Sequence, residues 1–101
     1  MIARMWRGWA RTSDADTYDE HYRTEVLAAL REVPGFCGAN LVRRAGDAET
    51  EFVSVTFFTD LDAVRGFAGA DYEVAVVDEA ARAVLVRFDE RVLHLDVSVS
   101  R

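Results

Sequence analysis

The stretch "FCGANLVRRAGDAETEFVSVTFFT", residues 36–59, decides the fold. Its second part, "TEFVSVTFFT" (50–59), is dense in β-branched and aromatic side chains, which suit a pleated, half-buried surface. Residues 36–45 read as a second strand, and "GDAE" between them reads as a turn. Two strands joined across a short Gly-Asp turn predict a hairpin.

Toward the N-terminus the hairpin is entered through "VPGF", where Pro34 restricts Val33 and Gly35 permits the turn. The residues before it predict a helix from Ala15 to Val33. Tyr18, Tyr22, Val26, Ala29, Leu30 and Val33 recur there at helical spacing and form one apolar stripe. Asp16, Asp19 and Glu20 fall in the first turns, where the helix dipole favours negative charge. "TSD" (12–14) supplies cap-type side chains. Ahead of it, "IARMWRGWAR" (2–11) reads as a strand.

Toward the C-terminus, Asp60 reads as the N-cap of a short helix that Gly69 helps to end. Residues 70–77 are open between helix and strand. From Asp78 the pattern is helical: Val77, Ala81, Val84, Leu85 and Phe88 share a face, with Asp78 and Arg82 spaced to pair. "ERVLHLDVSVSR" then alternates as a last strand. The order βαββαβ predicts an α+β, ferredoxin-like fold, with helices on one face of an antiparallel sheet and residues 1–101 as one domain. Met5, Trp9 and Leu41 read as too apolar for an uncovered face and predict a second copy of the chain against it.

Composition narrows the partners. Half of the residues are hydrophobic and the net charge is −6, which repels phosphate backbones and anionic lipid. Trp6 and Trp9 interleave with Arg4, Arg7 and Arg11 and suggest a stacking platform for single-stranded nucleic acid. Residues three apart on a strand point to opposite faces, however, so the two rings are not one platform. No apolar run is long enough to span a membrane. A single cysteine, Cys37, expected to be buried, and no visible signal peptide make cytoplasmic the expected location. Two distant histidines give no recognisable metal-ligand set.

The opening "IARMWRGWA", the "VPGF" turn, "EFVSVTFFTDLDAVRGFAGADYE" and "EAARAVLVRFDERVLHLDV" together resemble the antibiotic biosynthesis monooxygenase family, within the dimeric α+β barrel superfamily. The resemblance spans nearly the whole chain. It implies two ferredoxin-like subunits whose sheets share a barrel, and a pocket in each between sheet and helices. Some members oxidise polycyclic phenols with oxygen and no cofactor. Related proteins open the haem ring with an Asn on the first strand and a Trp and a His in the second helical region. An ungapped comparison puts Gly8, Phe67 and Val77 at those positions, which argues against haem degradation by that route.

A cofactor-free oxygenation asks the protein to hold an electron-rich ring, exclude water and stabilise an anion. The expectation is thus a cofactor-independent monooxygenase acting on a small phenolic or quinone-like molecule. The alternative is a non-catalytic ligand-binding or structural dimer of the same fold. Trp6, on the face that the resemblance assigns to the pocket, reads either as pocket wall or as a core ring. Tyr22 stands on the helix stripe, Asn40 is a polar residue inside a strand, and Phe67 and Tyr72 flank the turn after the short helix. With Arg82 these complete the expected substrate contacts. His94, mid-strand and titrating near neutrality, is the candidate base. Arg4 shares Trp6's face but is expected to reach solvent, and His21 is expected to lie on the helix flank near Glu25.

Overall fold

The hairpin forms as the sequence predicts: β2 (Phe36–Ala45) runs antiparallel to β3 (Glu49–Phe58). The computed structural model describes residues 1–101. β3 pairs along its whole length with β1 (Ile2–Arg11), from Ile2 opposite Phe58 to Arg11 opposite Glu49. Two short strands share the other edge of β1. β4 (Leu85–Phe88) lies against Gly8–Ala10 and β5 (Leu93–Asp96) against Ile2–Met5. The order β2-β3-β1-β4, with β5 also on β1, is the ferredoxin-like arrangement.

Burial alternates along β3. Thr50, Phe52, Ser54, Thr56 and Phe58 are buried, while the residues between them are part-exposed. The buried face is the helix face. One helical run covers it, made of α1 (Ala15–His21), a π turn (Tyr22–Val26) and α2 (Leu27–Arg31). Tyr18, Tyr22, Val26 and Leu30 are each four residues apart. In an unbroken α-helix that spacing drifts about 40° per step. The wider π turn takes up the drift and keeps all four over the sheet. α3 (Leu61–Ala68) and α4 (Glu79–Val84) complete the cover, each N-capped by an aspartate. Asp60 accepts from the Ala63 N–H at 2.9 Å and Asp78 from the Ala81 N–H at 2.8 Å.

The apolar core falls into two parts. Ala10, Tyr18, Tyr22, Phe52 and Leu85 pack at one end, and Leu30, Phe58, Ala63 and Val64 at the other. Arg4, Ser54 and Thr56 are buried polar residues on neighbouring inward positions of β1 and β3, in the middle of the sheet.

Several local expectations are corrected. The helix expected through Phe88 stops at Val84, because Leu85–Phe88 pair with an otherwise open edge of β1. The last strand ends at Asp96, which is already opposite Ile2, so β1 has no further strand to offer. "TSD" forms a 3-10 turn without a side-chain cap. Thr12 donates instead to the Gly46 carbonyl at 2.7 Å. Arg82 does not pair with Asp78: its Nε donates to the Val77 carbonyl at 3.1 Å and its guanidinium lies over Phe88. Residues 70–77 are irregular apart from a single bridge from Val74 to Arg91.

A bulge in β2 corrects two placements at once. Phe36 lies opposite Phe58 and packs on it, but Gly38 lies opposite Phe57, so Cys37 is an extra residue. One extra residue reverses the facing of everything after it. Leu41 therefore turns to the helix face, opposite Ser54, rather than to the open face. Asn40 turns to the open face, opposite Val55, rather than toward the pocket. Cys37, at the bulge, is exposed.

Candidate functional site

Between the two core clusters the sheet and helices leave a cavity. Its floor is Arg4 and Trp6 from β1 with Ser54 and Thr56 from β3. Tyr18, Tyr22, Val26 and Leu30 form the roof. Phe67 and the stretch Val76–Asp78 close the sides. About 60 Å³ inside is open to the centre of a water molecule, a narrow space dominated by hydrophobic walls.

Trp6 is fixed from two directions. Its Nε1 donates to the Asp89 carbonyl at 2.9 Å, and its ring packs against Tyr18 and Phe88 at centroid distances of 6.4 and 6.2 Å. The ring also lies across Gly8. A Cβ built on Gly8 would come within 2.5 Å of the Trp6 Cη2, so glycine leaves the room that this rotamer needs. Tyr22 and Ser54 share a hydrogen bond of 2.8 Å beneath the helix. Burial pushes the Tyr22 phenol up, against the opposing effect of the Ser54 hydrogen bond. Burial raises Tyr18 further, helped by Tyr22 and Asp78. Both phenols therefore stay protonated near neutrality.

Arg4 is the charge at the centre. Only 5 % of it is exposed, contrary to the expectation that it reaches solvent. Burial lowers it to about 10, which leaves it a cation near neutral pH. Nη1 donates to the Tyr72 carbonyl and to His94 Nε2 at 2.9 Å, and Nη2 donates to the Val74 carbonyl at 3.4 Å. Arginine has no acceptor, so Nε2 of His94 must accept. That assigns His94 the neutral form with its proton on Nδ1. Burial first, and Arg4 second, hold His94 below its usual value.

His94 thus stands behind Arg4 and not in the cavity. With Tyr72 it lines a neighbouring groove, the two rings edge to face at 5.0 Å. Arg82 lies in another surface depression beside Phe88. Of the expected contacts, the structure brings Trp6, Tyr22 and Phe67 together in the cavity. Tyr72 and His94 touch it only through Arg4, while Asn40 and Arg82 lie elsewhere.

Sequence reasoning missed Ser54 and Thr56, although the alternation along "TEFVSVTFF" puts them on the inward side of β3. It also missed a dyad at the cavity edge. His21 Nε2 lies 2.9 and 3.0 Å from the two carboxylate oxygens of Asp78, which itself lines the cavity. No local spacing reveals that pair, since its members are 57 residues apart. No three metal-ligating side chains converge anywhere in the chain.

The open face of the sheet carries the other tryptophan. Trp9 lies there with Arg7 and Arg87 over its ring at 5.3 and 4.5 Å. Met5, Val53, Val55 and Phe57 lie on the same face, with the exposed Leu93 and Leu95 beside them.

Known structures share this architecture end to end. A putative antibiotic biosynthesis monooxygenase from Bacillus cereus superposes with a TM-score of 0.69 at 11% identity, covering 100% of this chain and 96% of that one. The haem-degrader MhuD from Mycobacterium tuberculosis, solved with two haems bound in its active site, gives 0.66 at 17% identity and covers 100% and 99%. SnoaB, a cofactor-independent oxygenase from Streptomyces nogalater, gives 0.60 at 16% identity and covers 98% and 95%. At these identities the likeness concerns the fold. No curated protein matches the sequence. The sequence profile of the antibiotic biosynthesis monooxygenase family matches residues 1–79, well over half of the chain. The chain belongs to the antibiotic biosynthesis monooxygenase family.

Proposed function

We propose that the protein is a cofactor-independent monooxygenase that oxidises a small aromatic molecule with oxygen in the cavity between sheet and helices. The observation that carries this is the cavity lining itself: the aromatic side chains of Trp6, Tyr18 and Phe67 together with a buried hydroxyl pair and one buried cation. In such a reaction a phenol and O2 give a quinone and water. The ring supplies the electrons, so the protein has to orient it, keep water out and favour its ionised form. Trp6, Tyr18 and Phe67 supply the aromatic walls that hold the ring, and Tyr22 and Ser54 offer hydrogen bonds to the phenolic oxygen. Asp78, backed by His21, is the carboxylate at the cavity edge that accepts a proton.

The oxygenase and the haem degrader share this architecture, and the lining favours the first. It holds no imidazole, and the positions equated with the haem-degrading residues are Gly8, covered by the Trp6 ring, and the apolar Phe67 and Val77. That donor set does not suit a haem handled by the Asn, Trp and His route.

A second copy of the chain covers the open face in this proposal. Met5, Phe57, Leu93 and Leu95 form an apolar patch there, and Trp9 stands beyond Arg7 with Glu51 and Arg87 beside it, a mixture that a homodimer interface accommodates.

The test of activity is incubation of the pure protein with a panel of naphthols and anthrones, in air and under nitrogen. Quinone products that need both protein and oxygen are expected. A panel silent in air would sink the oxygenase proposal and leave a non-catalytic ligand-binding dimer.

A further inference from the structure

We infer that the cavity takes its ligand as an aromatic carboxylate, with the carboxylate on Arg4 and the ring against Trp6 and the other aromatic side chains of the lining. This rests on the proposal above only in taking the cavity as the ligand site, and not on oxygenation.

Arg4 is the buried arginine of the chain, and no carboxylate stands within ion-pair distance of it. Taking a cation out of water costs several kcal/mol unless a counter-charge or hydrogen bonds offset it. Three of the five guanidinium N–H groups are engaged, by the Tyr72 and Val74 carbonyls and by His94. The Nε–H and one hydrogen on Nη2 have no protein acceptor. Nε is not a sealed, unsatisfied atom, because no buried side-chain nitrogen lacks a partner. Nε–H therefore reaches accessible space, and Arg4 lines the cavity.

The other charge on the cavity is already satisfied. Asp78 takes the Ala81 N–H and His21, so it does not neutralise Arg4. Nearby Glu73 is turned to Arg91 at 3.7 Å. What remains is a cation with spare N–H groups, held by two carbonyls and an imidazole, in a cavity whose lining is largely aromatic and aliphatic. A planar carboxylate matches two guanidinium donors at once, as a neutral hydroxyl does not. His94 is a positioning residue: by accepting from Nη1 it aims the fork at the ligand.

The experiment is calorimetric titration near neutral pH, under nitrogen so that no turnover occurs. The three probes are 2-naphthoate, 2-naphthalenemethanol and 2-naphthol, all of similar shape. The naphthoate should bind about tenfold or more tighter than the alcohol, the scale of one or two charge-assisted hydrogen bonds. Arg4→Met should erase that preference. Should Arg4→Met fail to fold, Arg4→Lys keeps the charge without the fork and should retain a preference reduced several-fold. The acid–alcohol comparison on the unaltered protein needs no variant at all. Equal affinity for acid and alcohol, no binding of any probe, or a preference that survives Arg4→Met overturns the assignment. Tighter binding of 2-naphthol than of 2-naphthoate, dependent on Arg4, overturns it in favour of a phenolate. Naphthoate preference in a protein that shows no oxygen-dependent products keeps this inference and removes the oxygenase. Turnover of neutral phenols without an acid preference does the reverse.

Discussion

Two side chains at the centre of the site carry opposite lessons about what single residues announce. Trp6 was legible, because strand parity alone separates it from Trp9. Arg4 was not, since an arginine near a strand start ordinarily reaches water. Here Tyr72, Val74 and His94 close over it, and only the folded chain brings those residues to β1. Tyr22→Phe should leave the Ser54 hydroxyl without its partner and cost about 1 kcal/mol, read as a lowered denaturant midpoint with an unchanged slope. His94 makes a prediction about pH. Its folded value lies below its unfolded one, so the unfolded chain binds the proton first. Stability from this residue is complete above about pH 6.5 and falls on acidification toward the folded value. Thermal melts at neutral and mildly acidic pH should show a larger drop for the unaltered protein than for His94→Gln, since carboxylates contribute equally to both. Equal drops would contradict the burial of His94 beside Arg4.

At the scale of elements, the order of strands and helices was legible from periodicity, and the errors sit where tertiary pairing overrode it. Leu85–Phe88 read as helix because Leu85 and Phe88 continue the stripe, yet the free edge of β1 takes them as strand. Asn40 and Leu41 exchanged faces because one extra residue at Cys37 is invisible to a period-two count. Gly35 was legible and is tightly placed. Its φ is +89°, and a Cβ there would meet Thr59 Oγ1 at 2.6 Å and Ala63 Cβ at 2.7 Å. Gly35→Ala should therefore destabilise by more than the roughly 1 kcal/mol of backbone strain alone. The caps divide differently. Asp78→Ala removes the N-cap of α4 and the partner of His21 together, so it should cost about 1–2 kcal/mol. His21→Ala should cost less, because the cap survives it. Chemical denaturation of the two variants checks the ranking.

The whole molecule has one face covered by helices and one left open, where apolar side chains stand beside Arg7, Glu51 and Arg87. The proposed dimer follows from that asymmetry, and it assigns the two tryptophans different work. Trp9→Ala should weaken association, seen as a shift toward monomer in gel filtration at micromolar concentration, and leave ligand affinity unchanged. Trp6→Ala should do the opposite. A monomeric peak for the unaltered protein would contradict a shared barrel. The chemistry itself is tested most directly by running the reaction under ¹⁸O₂ with a phenol that the protein converts. One labelled atom per quinone, absent without protein and lost with Trp6→Ala, is the predicted result. Unlabelled product, or the same label without protein, would contradict oxygenation in this cavity.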